Sequence, residues 1–285
     1  MVKIGMNMLL WTGHVTHEHQ PHLAAIKSTG FDGVEIPVFD PSDVGHFRAL
    51  GAMLDDLGLE RTAVALIPDE AHNPLTADPA PRAMALDHLK RVAECCEALG
   101  ATHLVGPFYQ PLGVFTGEKP TAEELERCAG MHRDFAPFAR SAGLTLALEP
   151  LNRFEAYLLN TIEQSVAYCQ LVGEPGFGIL YDTFHAHIEE KDPLAALAAV
   201  QASGFLHHVH ISENDRGTPG KGHAKIRETI TALKASDYQG WLTIEAFGRA
   251  VPELAAATRV WRDFFANPEE VYTEGYHHIR ECLAD

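Results

Sequence analysis

Short apolar runs of strand character alternate with longer helical patterns along nearly the whole chain. The apolar runs predict eight strands, near residues 3–9, 33–37, 61–66, 102–106, 144–149, 177–181, 206–211 and 241–245. The stretches between them predict eight helices, near residues 20–29, 41–57, 81–99, 121–142, 161–172, 189–202, 224–235 and 253–266. Eight β/α units in a single chain favour a closed (β/α)8 barrel, a TIM barrel, over an open doubly wound sheet.

Glycine occupies seven of the predicted joins between a helix and the next strand, where a helix end often requires positive φ. These residues are Gly30, Gly58, Gly100, Gly143, Gly176, Gly204 and Gly240.

Residues 1–285 are predicted to form one domain, with 267–285 as a C-terminal extension that could form a short helix beneath the barrel or at a subunit contact. The irregular stretches 67–80 and 107–120 both follow strands, so we expect them on the catalytic face as pocket walls or a lid.

The composition narrows the classes of function. The formal net charge is −17 and no Lys/Arg cluster occurs, which argues against a nucleic-acid partner because neutralising phosphates requires a basic surface. No apolar run is long enough to span a membrane, and the first residue leads directly into a strand pattern without a signal peptide. The five cysteines are odd in number and mostly lie in helical patterns, as expected of reduced thiols in the cytoplasm.

Four ionisable residues lie one to a segment, each at the end of a predicted strand: Glu149, Asp182, His210 and Glu245. Their separations of 33, 28 and 35 residues match successive β/α units. Parallel barrel strands end at one common face, so these side chains should converge there. Three carboxylates and an imidazole make a site for a divalent cation.

Each of these four residues also has a purely structural interpretation. Glu149 could cap a loop, Asp182 a helix and His210 could be a core histidine, while Glu245 could pair with Arg249. Together, however, four unpaired polar groups would crowd one barrel mouth at a high desolvation cost, which a cation would relieve.

The periodicity of the seventh strand distinguishes among its three neighbouring histidines. Alternation along the seventh strand places His208 and His210 on one side and His207 on the other. His210 lies nearer the carboxyl end and is the predicted ligand, with His208 one layer deeper or supporting the site from behind.

Four segments resemble the ketose 3-epimerases, the tagatose/psicose/ribulose 3-epimerase family: EPLNRFE (149–155), YDTFHAHIEE (181–190), HVHISENDRGTPGKG (208–222) and TIEAF (243–247). The resemblance covers essentially the whole chain in order and spacing. It implies a TIM-type barrel that binds one divalent ion, usually Mn²⁺ but also Co²⁺ or Mg²⁺, in a homodimer or homotetramer. The implied metal ligands are Glu149, Asp182, His210 and Glu245, and the implied substrate-binding residues are Glu155, His185 and Arg216.

The family resemblance also implies the reaction, which is inversion of free ketohexoses or ketopentoses at C3. Examples are D-fructose/D-psicose, D-tagatose/D-sorbose and L-ribulose/L-xylulose. A proton is removed beside the C2 carbonyl and returned to the opposite face, through a cis-enediolate whose charge a metal ion can stabilise. Glu149 and Glu245 are the two expected bases, because the fifth and eighth strands lie across the barrel mouth. Asp182 and His210 would be ligands only.

The remaining residues have competing interpretations. Arg216 could instead pair with Glu213 or Asp215 at the surface, His185 could be an ordinary residue at a helix start, and Glu155 a solvated loop acid. Glu35 is predicted to be a buried structural acid.

The first strand departs from the family pattern. Trp11 follows Asn7 and Met8, which stand where several family members carry aromatic residues, so the sequence leaves the preferred ketose open. Trp11 itself is as compatible with packing as with sugar contact.

Other functions on the same barrel are an aldose–ketose isomerase of the hydroxypyruvate type and an inosose dehydratase. A nuclease resembling endonuclease IV is disfavoured, because the third and fourth predicted strands end without histidines and the chain is acidic. A non-catalytic sugar-binding barrel would leave the opposed glutamates Glu149 and Glu245 unexplained.

Overall fold

The predicted closed barrel of eight parallel strands is confirmed. The structure is a computed structural model, and residues 2–285 are described. The strands follow sequence order around the barrel, and β1 closes against β8 with Ile4 opposite Leu242. They are β1 (Lys3–Asn7), β2 (Gly33–Pro37), β3 (Glu60–Val64), β4 (His103–Gly106), β5 (Thr145–Leu148), β6 (Phe177–Asp182), β7 (Leu206–Ile211) and β8 (Trp241–Ile244).

The helices surround the barrel as a (β/α)8 fold requires. They are α1 (Gln20–Thr29), α2 (Val44–Leu57), α3 (Pro79–Leu99), α4 (Ala122–Ser141), α5 (Ile162–Val172), α6 (Thr183–Glu189), α7 (Pro193–Ser203), α8 (Ile226–Ala235), α9 (Pro252–Ala257) and α10 (Pro268–Ala284). Short 3-10 helices cover Met8–Leu10, His17–His19 and Glu70–His72. Among residues 2–285, no helix is both long and apolar enough to cross a membrane.

The connection after β6 differs from the single predicted helix over 189–202. Asp182 ends β6 and its Oδ1 accepts hydrogen bonds from the backbone N–H groups of Phe184 and His185, which starts α6 at once. A second cap at Asp192, followed by Pro193, then starts α7. The short helix α6 therefore holds His185 directly beside the strand end.

The predicted helix over 253–266 is too long, and the prediction for 267–285 needs correction. Helix α9 ends at Ala257, and Arg259 adopts a left-handed φ of 60°. Asn267 and Pro268 then begin α10, which packs against α1, α8 and β8. The segment predicted as an extension thus supplies the eighth outer helix, and residues 245–267, which include α9, form a long β8–α10 connection.

The glycine prediction holds for six of the seven joins. Gly30, for example, has a φ of 119° and closes α1. Gly240 is the exception, since its φ is not in the left-handed region; Asp237 adopts a φ of 56° after α8 instead.

A buried histidine ties α4 to the end of β4. His132 is fully buried, with Nδ1 2.7 Å from the Tyr168 hydroxyl and Nε2 3.1 Å from the carbonyl oxygen of Phe108. Burial lowers the pKa of His132 to about 4, so the imidazole is neutral in the folded protein at pH 7. This contact fixes the start of the 107–120 stretch at the carboxyl end of β4.

We expect His132 to make the protein less stable as the pH falls. Its folded pKa lies below the unfolded value, so its contribution is complete above pH 6.5 and decreases towards pH 4, by up to about 1.4 kcal/mol per pH unit. Urea unfolding of metal-free protein at pH 7 and pH 4.5 measures this. The variant His132→Gln should be less stable at pH 7 but lose less stability on acidification, whereas the exposed control His277→Gln should follow the wild type. If the wild type and His132→Gln lost the same amount of stability between pH 7 and pH 4.5, the lowered pKa assigned to His132 would be contradicted.

Candidate active site

The four predicted ligand residues converge at the carboxyl ends of β5 to β8. His210 Nδ1 lies 3.8 Å from Glu149 Oε1, 3.7 Å from Asp182 Oδ2 and 3.5 Å from Glu245 Oε1. One ligand atom from each residue lies within 4.8 Å of the others. All four side chains are buried. The geometry expected from their spacing along the chain is therefore present.

His210 is oriented by a carboxylate beneath it. Its Nε2 lies 2.8 Å from Glu35 Oε1, so Nδ1 faces the three acidic residues. Glu35 Oε1 also accepts a hydrogen bond from Asn7 Nδ2, and Oε2 accepts one from the Thr62 hydroxyl and lies 3.2 Å from His208 Nε2. Burial alone would raise the pKa of Glu35, but His210 and His208 hold it well below its usual range. Glu35 is thus a buried structural acid, as predicted, and His208 lies one layer deeper.

Glu35, His208 and His210 also lie close enough together to hold a metal ion. Both oxygens of Glu35 are already engaged by hydrogen-bonding neighbours, whereas the upper cluster is not satisfied in this way. We therefore assign the lower trio to support of His210.

The upper cluster contains two buried atoms without a hydrogen-bond partner, Glu149 Oε1 and His210 Nδ1. Burial and then repulsion from Glu245 raise the pKa of Glu149 well above its usual value. Buried polar atoms left unpaired are costly, and a cation between them would satisfy both. Three carboxylates and one imidazole suit a divalent ion, so these four residues could hold one.

Arg216 lies at the edge of the acidic cluster. Its Nη1 is 2.6 Å from Glu245 Oε2 and 3.1 Å from Asp182 Oδ2, and its guanidinium lies between the rings of Phe184 and Phe247, 3.9 and 4.8 Å from their centres. Burial alone would raise the pKa of Asp182, but Arg216 holds it well below its usual range.

The surface pairing considered for Arg216 is not formed. Glu213 instead accepts hydrogen bonds from the backbone N–H groups of Gly220 and Ala224, which organises the loop after β7. Similarly, Arg249 pairs with Asp263 rather than with Glu245.

His185 and Glu155 complete the polar side of the site. His185 Nδ1 accepts a hydrogen bond from the backbone N–H of Asn152, and its Nε2 lies 2.9 Å from Arg216 Nη2 and 3.5 Å from Glu149 Oε1. Burial and then Arg216 lower the pKa of His185 to about 3, so the ring is neutral. Glu155 accepts from Asn152 Nδ2, and burial raises the pKa of its carboxyl group.

A pocket opens over these residues. Glu149, Glu155, His185, Arg216 and Glu245 line one half of it, and the other half is lined by apolar residues from the first four strand ends and from the β8–α10 connection.

The two long irregular stretches contribute differently to this pocket. From the stretch 107–120, Pro107 and Leu112 line the pocket, as expected of a pocket wall. Residues 67–80, all of which are described, contribute none of its lining side chains. Trp11 stacks on His22 with ring centroids 5.3 Å apart and also does not line the pocket, so its role is packing.

Comparison with known proteins places the chain in a family. A family model described as xylose isomerase-like TIM barrel matches residues 23–282. A probable ketose 3-epimerase of Synechocystis sp. is 33% identical over 282 residues, covering 98% of this chain and 96% of the relative. This chain is a member of the ketose 3-epimerase family. The resemblance inferred from the four sequence segments is therefore confirmed.

Solved structures of the family agree with the fold. The structure of an L-ribulose 3-epimerase has 29% sequence identity and a TM-score of 0.92, and the match covers 100% of this chain and 95% of that chain. A D-allulose 3-epimerase from Methylomonas sp., solved in complex with D-allulose, has 26% identity and a TM-score of 0.90, with 98% and 96% covered. The barrel of this family member is thus shared over its full length with proteins named for sugar epimerisation.

Some residues of the site were not found by sequence reasoning. Asn7 on β1 donates from Nδ2 to Glu245 Oε1 at 3.1 Å as well as to Glu35, and so links the acids of the two strands that flank β1. Phe184 and Phe247 hold the Arg216 guanidinium. The position of Asn7 at the end of β1 was the only available signal, because its partners are distant in sequence.

We expect the crowded acids to lower the stability of the metal-free protein. Glu149→Gln keeps the side-chain shape and removes a buried, unpaired carboxyl group, so the free energy of unfolding should rise by about 1–2 kcal/mol at pH 8. Urea unfolding in the presence of a chelator measures this, with the exposed helical residue Glu97→Gln as the control that should change little. A metal-free Glu149→Gln protein less stable than wild type would show that the site is not strained in this way.

Proposed function

We propose that this protein epimerises free ketoses at C3 with the help of one divalent metal ion. The observation that carries the proposal is the presence of Glu149 and Glu245 in one pocket, where they come from the ends of β5 and β8, three strands apart around the barrel. Two bases on opposite faces of a sugar are what inversion at carbon requires. The names of the relatives, among them L-ribulose and D-allulose 3-epimerases, support the same reaction.

Glu149, Asp182, His210 and Glu245 would hold the metal ion, with Mn²⁺ as the proposed ion and Co²⁺ or Mg²⁺ as alternatives. When bound, the ion supplies a Lewis acid that stabilises negative charge on the ketose oxygens. The unpaired Glu149 Oε1 and His210 Nδ1 support this assignment.

The two glutamates are held differently. The Glu245 oxygens are fixed by Asn7 at 3.1 Å and by Arg216 at 2.6 Å, whereas Glu149 Oε1 has no hydrogen-bond partner. One glutamate removes the C3 proton and the other returns a proton to the opposite face, with the roles exchanged in the reverse direction. Each proton transfer is expected to contribute on the order of 10²–10⁴-fold to the rate.

Glu155, His185 and Arg216 are the proposed substrate-binding residues. Arg216 is a permanent cation that can donate to a developing oxyanion, and the neutral ring of His185 lies directly beside it at 2.9 Å. Glu155 lines the same half of the pocket and can accept from a hydroxyl group. These three side chains therefore suit the oxygen-rich C1–C3 end of a ketose.

We also propose that the protein works as a homodimer or homotetramer in the cytoplasm. The family resemblance supports the assembly, and five free, buried cysteines are compatible with a reducing compartment.

The proposal is tested by turnover of D-fructose, D-tagatose and L-ribulose in deuterated water, using chelator-treated enzyme with and without Mn²⁺. We expect metal-dependent formation of the C3 epimer with deuterium at C3. Glu149→Gln and Glu245→Gln should each lose about 10³-fold in kcat, while the exposed Glu253→Gln on the same face should retain wild-type activity.

Other products would identify a different reaction. Deuterium at C1 or C2 in an aldose product would indicate an aldose–ketose isomerase. Failure to convert any ketose would contradict the epimerase proposal and favour the inosose dehydratase or the sugar-binding barrel.

A further inference from the structure

The pocket over the acidic cluster has two chemically different halves. The half above β5 to β8 carries the charged residues and His185, as described above. The half above β1 to β4 and below the β8–α10 connection is apolar, and its main side chains are Leu9, Phe39, Leu66, Pro107, Leu112 and Leu254.

The apolar half offers almost no side-chain hydrogen bonds to a ligand. Among the described lining residues of this half, Thr258 carries the one polar side chain, and its hydroxyl donates to the carbonyl oxygen of Leu254 at 2.8 Å. A sugar hydroxyl enclosed there would lose water without gaining a side-chain partner, which is unfavourable. A methyl group in the same place would gain apolar contact.

The reaction fixes which end of a ketose enters this half. C2 and C3 must lie between Glu149 and Glu245, and the C1–C3 oxygens face the polar side chains, so the C6 end points into the apolar half. This placement rests on the proposed C3 epimerisation.

We propose that the preferred substrates are 6-deoxyketohexoses, ketoses whose chain ends in a methyl group. A 6-deoxy sugar keeps every oxygen needed at C1–C3 and removes the hydroxyl that lacks a partner. Leu112 and Leu254 line the apolar half, which makes them the specificity-determining residues for a C6 substituent placed there.

The test compares pairs of ketoses that differ only at O6: 6-deoxy-D-fructose with D-fructose, and 6-deoxy-L-tagatose with L-tagatose. Binding to the Mn²⁺-loaded protein is measured by calorimetry, and kcat/KM for C3 epimerisation is measured in parallel. We expect the deoxy member of at least one pair to be favoured about tenfold, which corresponds to about 1.4 kcal/mol.

Leu112→Asn adds a polar amide to the apolar half and should reduce this preference below threefold. Leu112 is 37% exposed, so the fold should tolerate the change, and a thermal melt checks this. Leu171→Asn is the matched control, because Leu171 is 40% exposed on α5 away from the pocket and should leave the preference unchanged.

Preference below threefold in both pairs, preference for the parent sugar, or an unchanged preference in Leu112→Asn would overturn the inference. Binding of the deoxy sugars without any C3 epimerisation would contradict the proposed reaction while upholding the apolar recognition. Absence of binding by all four sugars would overturn both.

Discussion

The crowding of three carboxylates around one imidazole nitrogen determines how the mouth of this barrel is built. Glu149, Asp182 and Glu245 all lie within 4 Å of His210 Nδ1, and none of them is exposed to water by more than 4%. Like charges at this distance in a buried site repel strongly, so positive charge has to be supplied from outside the cluster or from its edge.

Two side chains outside the cluster, Glu35 and Arg216, stabilise its arrangement. Glu35 fixes His210 from below, which directs Nδ1 towards the acids. Arg216 partly neutralises Asp182 and Glu245 from the side. Its φ of 65° is unusual for a residue with a side chain, and backbone hydrogen bonds to Glu213 and from Phe247 hold it there. Glu149 has no comparable partner among the described residues, since its Oε1 makes no hydrogen bond.

The sequence was sufficient to predict the parts of the structure that depend on periodicity. Strand spacing predicted the eight-stranded barrel, and the position of each acid at a strand end predicted the cluster, because parallel strands present those ends on one face. One oxygen of Asp182 caps α6 while the other faces His210. A helix cap and a place in the acidic cluster are therefore compatible in one side chain.

Other features depend on contacts that periodicity does not encode. Helix α6 has only seven residues and starts directly at the strand end, so its pattern was too short to detect. Residues 258–266 contain a helix-like apolar pattern, but Trp261 is 67% exposed and the segment does not form a barrel helix. Asn7 reaches Glu245 across 238 residues of chain, a pairing that only barrel closure creates.

The most direct test of the central claim is anomalous diffraction from crystals of the protein grown or soaked with Mn²⁺. The account predicts one strong peak per chain, coordinated by Glu149, Asp182, His210 Nδ1 and Glu245 at about 2.0–2.3 Å. A peak at Glu35 and His208 instead, or no peak within reach of Glu149 and His210 Nδ1, would contradict it.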